Sequence, residues 1–132
     1  MIGSGASAIR VRYAETDQMG VAYHGDYFAW FEVGRTDLLR NRGLTYRELE
    51  AQGLRLPVIE AHARYIKPAL YDDVIEVRTR VTSLTGVRIA FSYEVHRDGD
   101  AAPLATGSTS HAAVNAHGKP RRLPESVRSL LL

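Results

Sequence analysis

Apolar positions along the chain change their period twice. From Ile9 to Tyr13 apolar and basic residues alternate, with Ile9, Val11 and Tyr13 on one side, which is the two-residue period of a short strand. Residues 1–8 before it are small and unpatterned and read as a flexible start. After an irregular stretch over 14–26, Tyr27, Trp30, Phe31, Gly34 and Leu38 recur at helical spacing and predict one long helix with a continuous apolar stripe. Arg40 and Arg42 set cations against its C-terminal dipole, and Gly43 stops it. Thr45 and Glu48 make a capping-box pair ahead of a short second helix over about residues 46–52, closed by Gly53.

The two-residue period then returns. Residues 55–66 are apolar with irregular alternation, ended by Pro68. Over 74–81, Ile75, Val77, Thr79 and Val81 oppose Glu76, Arg78 and Arg80. The clearest strand runs from Val87 to His96, followed by an Asp98-Gly99 turn signal and a further strand over 103–114. The tail over 122–132 reads as a short helix or extended arm. A strand, a long apolar helix and then a run of hairpin-linked strands indicate an α+β fold. Trp30 and Phe31 need a covering surface, and a curved antiparallel sheet wrapped around one central helix supplies it. At 132 residues the chain reads as a single domain, 1–132.

Composition removes several functions. With 17 Lys+Arg against 15 Asp+Glu, the net charge of +2 is too small to advertise a nucleic-acid partner. The absence of cysteine excludes a thiol nucleophile, a disulfide framework and thiolate-held metals. It also suits a reducing compartment. No apolar run is long enough for membrane insertion and no secretory signal pattern opens the chain, so a soluble, cytoplasmic protein is expected.

No metal-ligand spacing links the histidines. His62, His96 and His111 stand alone on predicted strands as surface or packed residues. Phosphate-loop and dinucleotide patterns are missing, and no cofactor is expected. The segment from Asp17 to Tyr27 is different. It sets a carboxylate, two glycines, a histidine and a helix N-terminus within a short span. Unpaired N–H groups at a helix start can hold a developing oxyanion, and a carboxylate facing them suits acyl transfer. The plainer alternative makes Asp17 an Asx-turn residue and Asp26 the helix N-cap. Glu32, three residues before Arg35, suits an intrahelical ion pair. Arg64, Lys67 and Arg88 suit either a solvated strand face or contacts to phosphate.

The run Tyr13-Ala-Glu-Thr-Asp17-Gln-Met-Gly20-Val-Ala-Tyr23-His24-Gly-Asp-Tyr27-Phe-Ala-Trp30-Phe31-Glu32 resembles the signature of the 4-hydroxybenzoyl-CoA thioesterase-like family, and its Tol–Pal-associated branch in particular. The likeness continues through Arg64-Tyr65-Ile66-Lys67-Pro68-Ala69, Tyr71-Asp72-Asp73 and Leu104-Ala105-Thr106-Gly107. It implies a hot-dog fold and an acyl-CoA thioesterase that releases a carboxylic acid and free coenzyme A, the coenzyme being part of the substrate. The same likeness implies a homo-oligomer, a dimer or a tetramer. Asp17 stands at the family's catalytic carboxylate. The backbone of His24 and Gly25 matches the oxyanion donor, and the His24 side chain is expected to orient the thioester or the water. Tyr23, Arg64, Lys67 and Arg88 are weaker substrate-binding candidates. Asp26 departs from the pattern, where asparagine is usual, and adds a second carboxylate near Asp17 that would perturb its titration. The cations some relatives carry in the turn at 83–87 are absent, and one branch of the fold places its acid on the helix, which keeps Glu32 in view. A non-catalytic acyl-thioester-binding or scaffold role is the alternative reading.

Overall fold

The structure, a computed structural model, describes residues 3–132. Strands β1 (Ser4–Arg10), β2 (Val58–Tyr65), β3 (Val74–Leu84), β4 (Arg88–Arg97) and β5 (Ala105–Ala112) form one antiparallel sheet in the order β1-β3-β4-β5-β2. Between β1 and β2 run the helices α1 (Asp26–Asn41) and α2 (Tyr46–Ala51), and α3 (Glu125–Leu131) closes the chain. The expected helix stripe is the buried one: Tyr27, Trp30, Phe31, Gly34 and Leu38 all face the sheet. On the sheet, Ile75, Val77, Thr79 and Val81 of β3 and Ile89, Phe91, Tyr93 and Val95 of β4 meet them. Phe31 stacks on Tyr93 with ring centroids 4.4 Å apart and planes 8° from parallel. Burying Phe31 and Phe91 contributes about 1.5–3 kcal/mol each. Two glycines allow this closeness. A Cβ on Gly34 would collide with the Thr79 hydroxyl and Val77, and one on Gly107 would enter the Phe31 ring.

Several expectations are corrected here. The first strand begins earlier than its alternation suggests, because β1 takes in Ser4 to Ala8 and pairs with β3 from Ser4↔Arg80 to Arg10↔Val74. Of the segment read as flexible, residues 4–8 are therefore ordered by that ladder and Gly3 by backbone bonds with Val81 and Leu131, while Met1 and Ile2 lie outside the described residues. Tyr13 is no strand residue. It starts a single 3₁₀ turn, Tyr13–Glu15, and is 75% exposed. Asp26 is the first residue of α1 rather than its cap, and Gly25 takes the cap position without a side-chain bond. Of the expected capping box of α2 one half forms: Thr45 is the N-cap and its Oγ1 accepts from Glu48 N at 3.1 Å.

The Glu32–Arg35 ion pair is also absent among the described residues. Glu32 points to solvent, whereas Arg35 shares the buried stripe and leaves its Nε without a partner. The Arg35 charge acts instead on the hydroxyls of Tyr46 and Tyr93, both held protonated chiefly by burial. His96 and His111 are packed. His111 donates from Nδ1 to Leu56 O at 3.0 Å and accepts from Thr109 Oγ1 at 2.8 Å, while Tyr93 donates to Thr109 at 2.6 Å. Burial pushes the His111 pKa down, and the Arg35 charge acts in the same direction, against the Leu56 bond.

Candidate active site

Two short segments meet at the start of α1. The 3₁₀ turn delivers the chain into a tight loop over 16–22, closed by an isolated Thr16↔Ala22 bridge and by Asp17 N donating to Val21 O at 2.9 Å. Gly20, at φ +78°, makes the reversal that a larger residue would strain. The Asp17 carboxylate accepts from Met19 N at 2.9 Å, so the Asx turn expected from the plainer reading is present. The same side chain also lines a cavity of about 280 Å³. The turn uses one carboxylate oxygen and leaves the side chain exposed on that cavity, so the turn does not exclude the catalytic reading of Asp17.

His24, Tyr27, Tyr65, Lys67 and Pro68 line that cavity with Asp17. Tyr65 ends β2 and donates its hydroxyl to His24 O at 2.8 Å. The Tyr27 hydroxyl accepts from Ala69 N at 3.3 Å. Desolvation raises the pKa of both phenols, so they remain neutral hydroxyls. The first turn of α1 satisfies its later amides, with Asp26 N on Tyr23 O and Tyr27 N on His24 O. Among the described residues the amides of His24 and Gly25 meet no acceptor, as expected for a helix start. These N–H groups, with the positive end of α1, give a place for negative charge to develop beside a carboxylate.

Sequence-predicted residues divide here. Asp17, His24 and Lys67 line the cavity. Tyr23 does not, but its ring packs on His24 with centroids 4.3 Å apart. Asp26 is likewise off the cavity lining, so the second carboxylate does not share it with Asp17. Arg64 opens onto a separate hollow of about 290 Å³ beside His62 and Ser108. Arg88 begins β4 opposite Ala112 and touches neither. A larger hollow of about 470 Å³, bounded by Ser4, Arg78, Arg80 and Glu94, lies on the outer face of β1, β3 and β4 and contains no expected site residue. No group of three metal-ligating side chains converges among the described residues. The turn at 83–87, neutral in sequence, is met from outside by the C-terminal segment. Arg128 donates to Thr85 O at 2.8 Å, and the Arg122 guanidinium lies 3.1 Å from where a Gly86 Cβ would stand.

Comparison with known proteins bears on this geometry. Residues 11–131 match the model of the thioesterase-like superfamily. The chain belongs to that superfamily. It has the superfamily's hot-dog fold, one helix enclosed by an antiparallel sheet. The putative acyl-CoA thioesterase YneP of Bacillus subtilis is 39% identical over 101 residues, covering 76% of this chain and 73% of that protein. The acyl-CoA thioester hydrolase YbgC of Escherichia coli is 32% identical over 120 residues, covering 90% and 89%. Among solved structures, a DHNA-CoA thioesterase from Staphylococcus aureus superposes with TM-score 0.87 at 36% identity, covering 91% of this chain and 80% of that one. Thioester hydrolysis is thus the general activity these relatives share by name.

Sequence reasoning missed Tyr65 and Tyr27 as cavity walls. Tyr27 is legible only as a helix-stripe residue, and Tyr65 stands 41 positions after the His24 carbonyl it holds. It also missed Glu15. That residue is 7% exposed, and its carboxylate accepts from Trp30 Nε1 at 2.9 Å and from Arg12 N at 2.8 Å. Burial works to raise its pKa, but the Arg12 and Trp30 hydrogen bonds and the Arg12 charge together outweigh it and lower the value.

Proposed function

We propose that this protein is an acyl-CoA thioester hydrolase whose reacting carboxylate is Asp17. The observation that carries the reading is that the Asp17 side chain and His24, at the unpaired amides before α1, line one cavity. In this scheme the thioester carbonyl oxygen sits on the backbone N–H groups of His24 and Gly25. Asp17 either takes a proton from an attacking water or itself attacks the carbonyl carbon. The carbon–sulfur bond then breaks and coenzyme A leaves as a thiolate that takes up a proton; on the first route the water oxygen completes the carboxylic acid, and on the second a water hydrolyses the acyl-aspartyl anhydride, releasing the acid and restoring Asp17. The His24 ring, braced by Tyr23, orients the thioester or water. Lys67, on the same cavity, is the cation we assign to the coenzyme's phosphates. Arg64 and Arg88 reach substrate only if a second subunit brings them.

A homodimer completes the proposal. β2 is an edge strand exposed along almost its whole length, with Val58, Ile59 and Tyr65 open to solvent. Such an edge is paired or blocked in soluble proteins, and a second β2 gives it a matching ladder.

Free-thiol release from a panel of short, long and aromatic acyl-CoA esters tests the activity. Asp17→Asn should lower kcat by at least about 10²–10⁴-fold with the fold intact. Retained turnover in Asp17→Asn, with Glu32→Gln inactive, would move the chemistry to the helix acid and refute the assignment.

A further inference from the structure

The loop that carries Asp17 is fastened at both ends, at Glu15 before it and at Val21 and Ala22 after it, where Val21 bridges Leu70. Glu15 sits at the base of the loop over 16–22; its Oε2 and its backbone carbonyl reach other segments, while its Oε1 and N–H close its own turn on Arg12. Its Oε2 accepts from the indole N–H of Trp30 on α1 at 2.9 Å. Its Oε1 accepts from Arg12 N at 2.8 Å, with Arg12 Nε at 3.5 Å. Its backbone carbonyl accepts from Tyr23 N at 2.8 Å, immediately before His24. The far end of the loop is tied by Ala22 N to Ala69 O at 2.8 Å. Trp30 in turn is buried, with its ring against Tyr27 at 4.5 Å between centroids, and Tyr27 lines the Asp17 cavity.

A buried carboxylate is costly unless hydrogen bonds compensate it, and a core position would be more stable with an apolar residue. Charge-assisted bonds are shorter and stiffer than neutral ones, which suits a part whose task is to hold a distance. We propose that Glu15 is a positioning residue that keeps the Asp17 loop in register with the N-terminus of α1, acting through the Trp30 indole. This inference rests on the hydrolase reading above. The shortest side-chain connection from the carboxylate loop to the helix carrying the oxyanion donors runs through one hydrogen bond. Loosening it lets Asp17 drift relative to the carbonyl, and small misplacements of a reacting group cost rate rather than binding.

The test is a set of three variants, Glu15→Gln, Trp30→Phe and their double, assayed beside wild type and Asp17→Asn at a temperature well below every melting point. Glu15→Gln keeps the shape but leaves one of the two N–H donors without an acceptor. Trp30→Phe keeps a ring and removes the donor. Each should lower kcat about 10–100-fold while KM stays within about two-fold, and the double should fall no further than the worse single. Trp30 is the only tryptophan, so its indole N–H gives one resolved NMR signal. In Glu15→Gln that signal should move and exchange faster with solvent. Unchanged kcat in either single, losses that multiply in the double, or a rise confined to KM would overturn the proposal. If Glu15→Gln does not fold, Trp30→Phe alone decides by the same criteria. A wild type that releases no thiol from any ester, or an Asp17→Asn with full turnover, defeats the hydrolase reading and this inference with it. Normal Asp17 dependence with an indifferent Glu15 defeats only the inference.

Discussion

Gly107→Ala is the sharpest probe of how the helix is seated on the sheet. Gly107 lies on β5, opposite Ala63 of β2 and Tyr93 of β4. A Cβ there would enter the ring of Phe31, which is fully buried, and approach the His62 backbone carbonyl to 2.7 Å. Phe31 cannot retreat, because its other face stacks on Tyr93 at 4.4 Å. Replacing glycine by alanine in a strand recovers about 0.5–1 kcal/mol of backbone entropy. Overpacking a closed core costs about 1–3 kcal/mol, and here a ring and a backbone carbonyl must both move, which argues for the upper end. The expected net loss is about 1–2 kcal/mol. With an unfolding entropy near 2.1 cal/mol/K per residue, that is a fall of roughly 4–7 °C in Tm for a chain of this length. Thermal melts followed by circular dichroism, at one fixed protomer concentration, measure it. Phe31→Leu makes room for the methyl, so the double variant should lose less than the two singles together. A Gly107→Ala protein as stable as wild type, or strictly additive losses, would show that the helix does not press on β5 in this way.

Three further outcomes are expected. Tyr65→Phe removes the bond to the His24 carbonyl, worth about 0.5–1.5 kcal/mol, and should lower kcat roughly 2–10-fold with Tm down by no more than about 2–5 °C; an unaltered kcat would mean that the bond does not orient the helix start. Because the folded-state pKa of His111 lies below its ordinary 6.5, the unfolded chain takes up a proton that the folded one refuses. Stability should therefore be fully present above that value and fall as pH drops below it, by up to about 1.4 kcal/mol per pH unit until the folded group titrates. Urea melts between pH 8 and 5 test this, and His111→Gln should flatten that part of the profile. Glu15, also lowered, adds a second decline beginning below its ordinary 4.5. Light scattering at micromolar concentration should report at least a dimer, and a monomer would exclude pairing through β2.

Periodicity made the scaffold legible wherever an element buries one face. The α1 stripe and the alternation of β3 and β4 stand out because apolar contrast along the chain is a local property, unaffected by what lies opposite. The first part of β1 escaped because Ser4, Gly5, Ala6, Ser7 and Ala8 carry no such contrast, and the β3 ladder alone makes them a strand. β2 was irregular for a related reason, being exposed on both sides in the single chain. Arg35 shows the limit of spacing rules, which put it within reach of Glu32 but do not say that its side chain turns inward.

At the candidate site, Asp17, the glycines, His24 and the helix start were readable together because they are contiguous and because a helix N-terminus has fixed chemistry. Tyr65, Lys67 and Pro68 reach the same cavity only because β2 crosses to the far edge of the sheet and returns its end to α1. Glu15 looked like one of several loop acids, and nothing in its neighbours along the chain announces that it meets Trp30 15 positions later. Sequence by itself determined the elements, the helix face that is buried and the segment where a carboxylate meets free amides. Which side chains share a cavity, which acid is buried and which cation faces inward were decided by tertiary contact, because those depend on distances through space that no local period encodes.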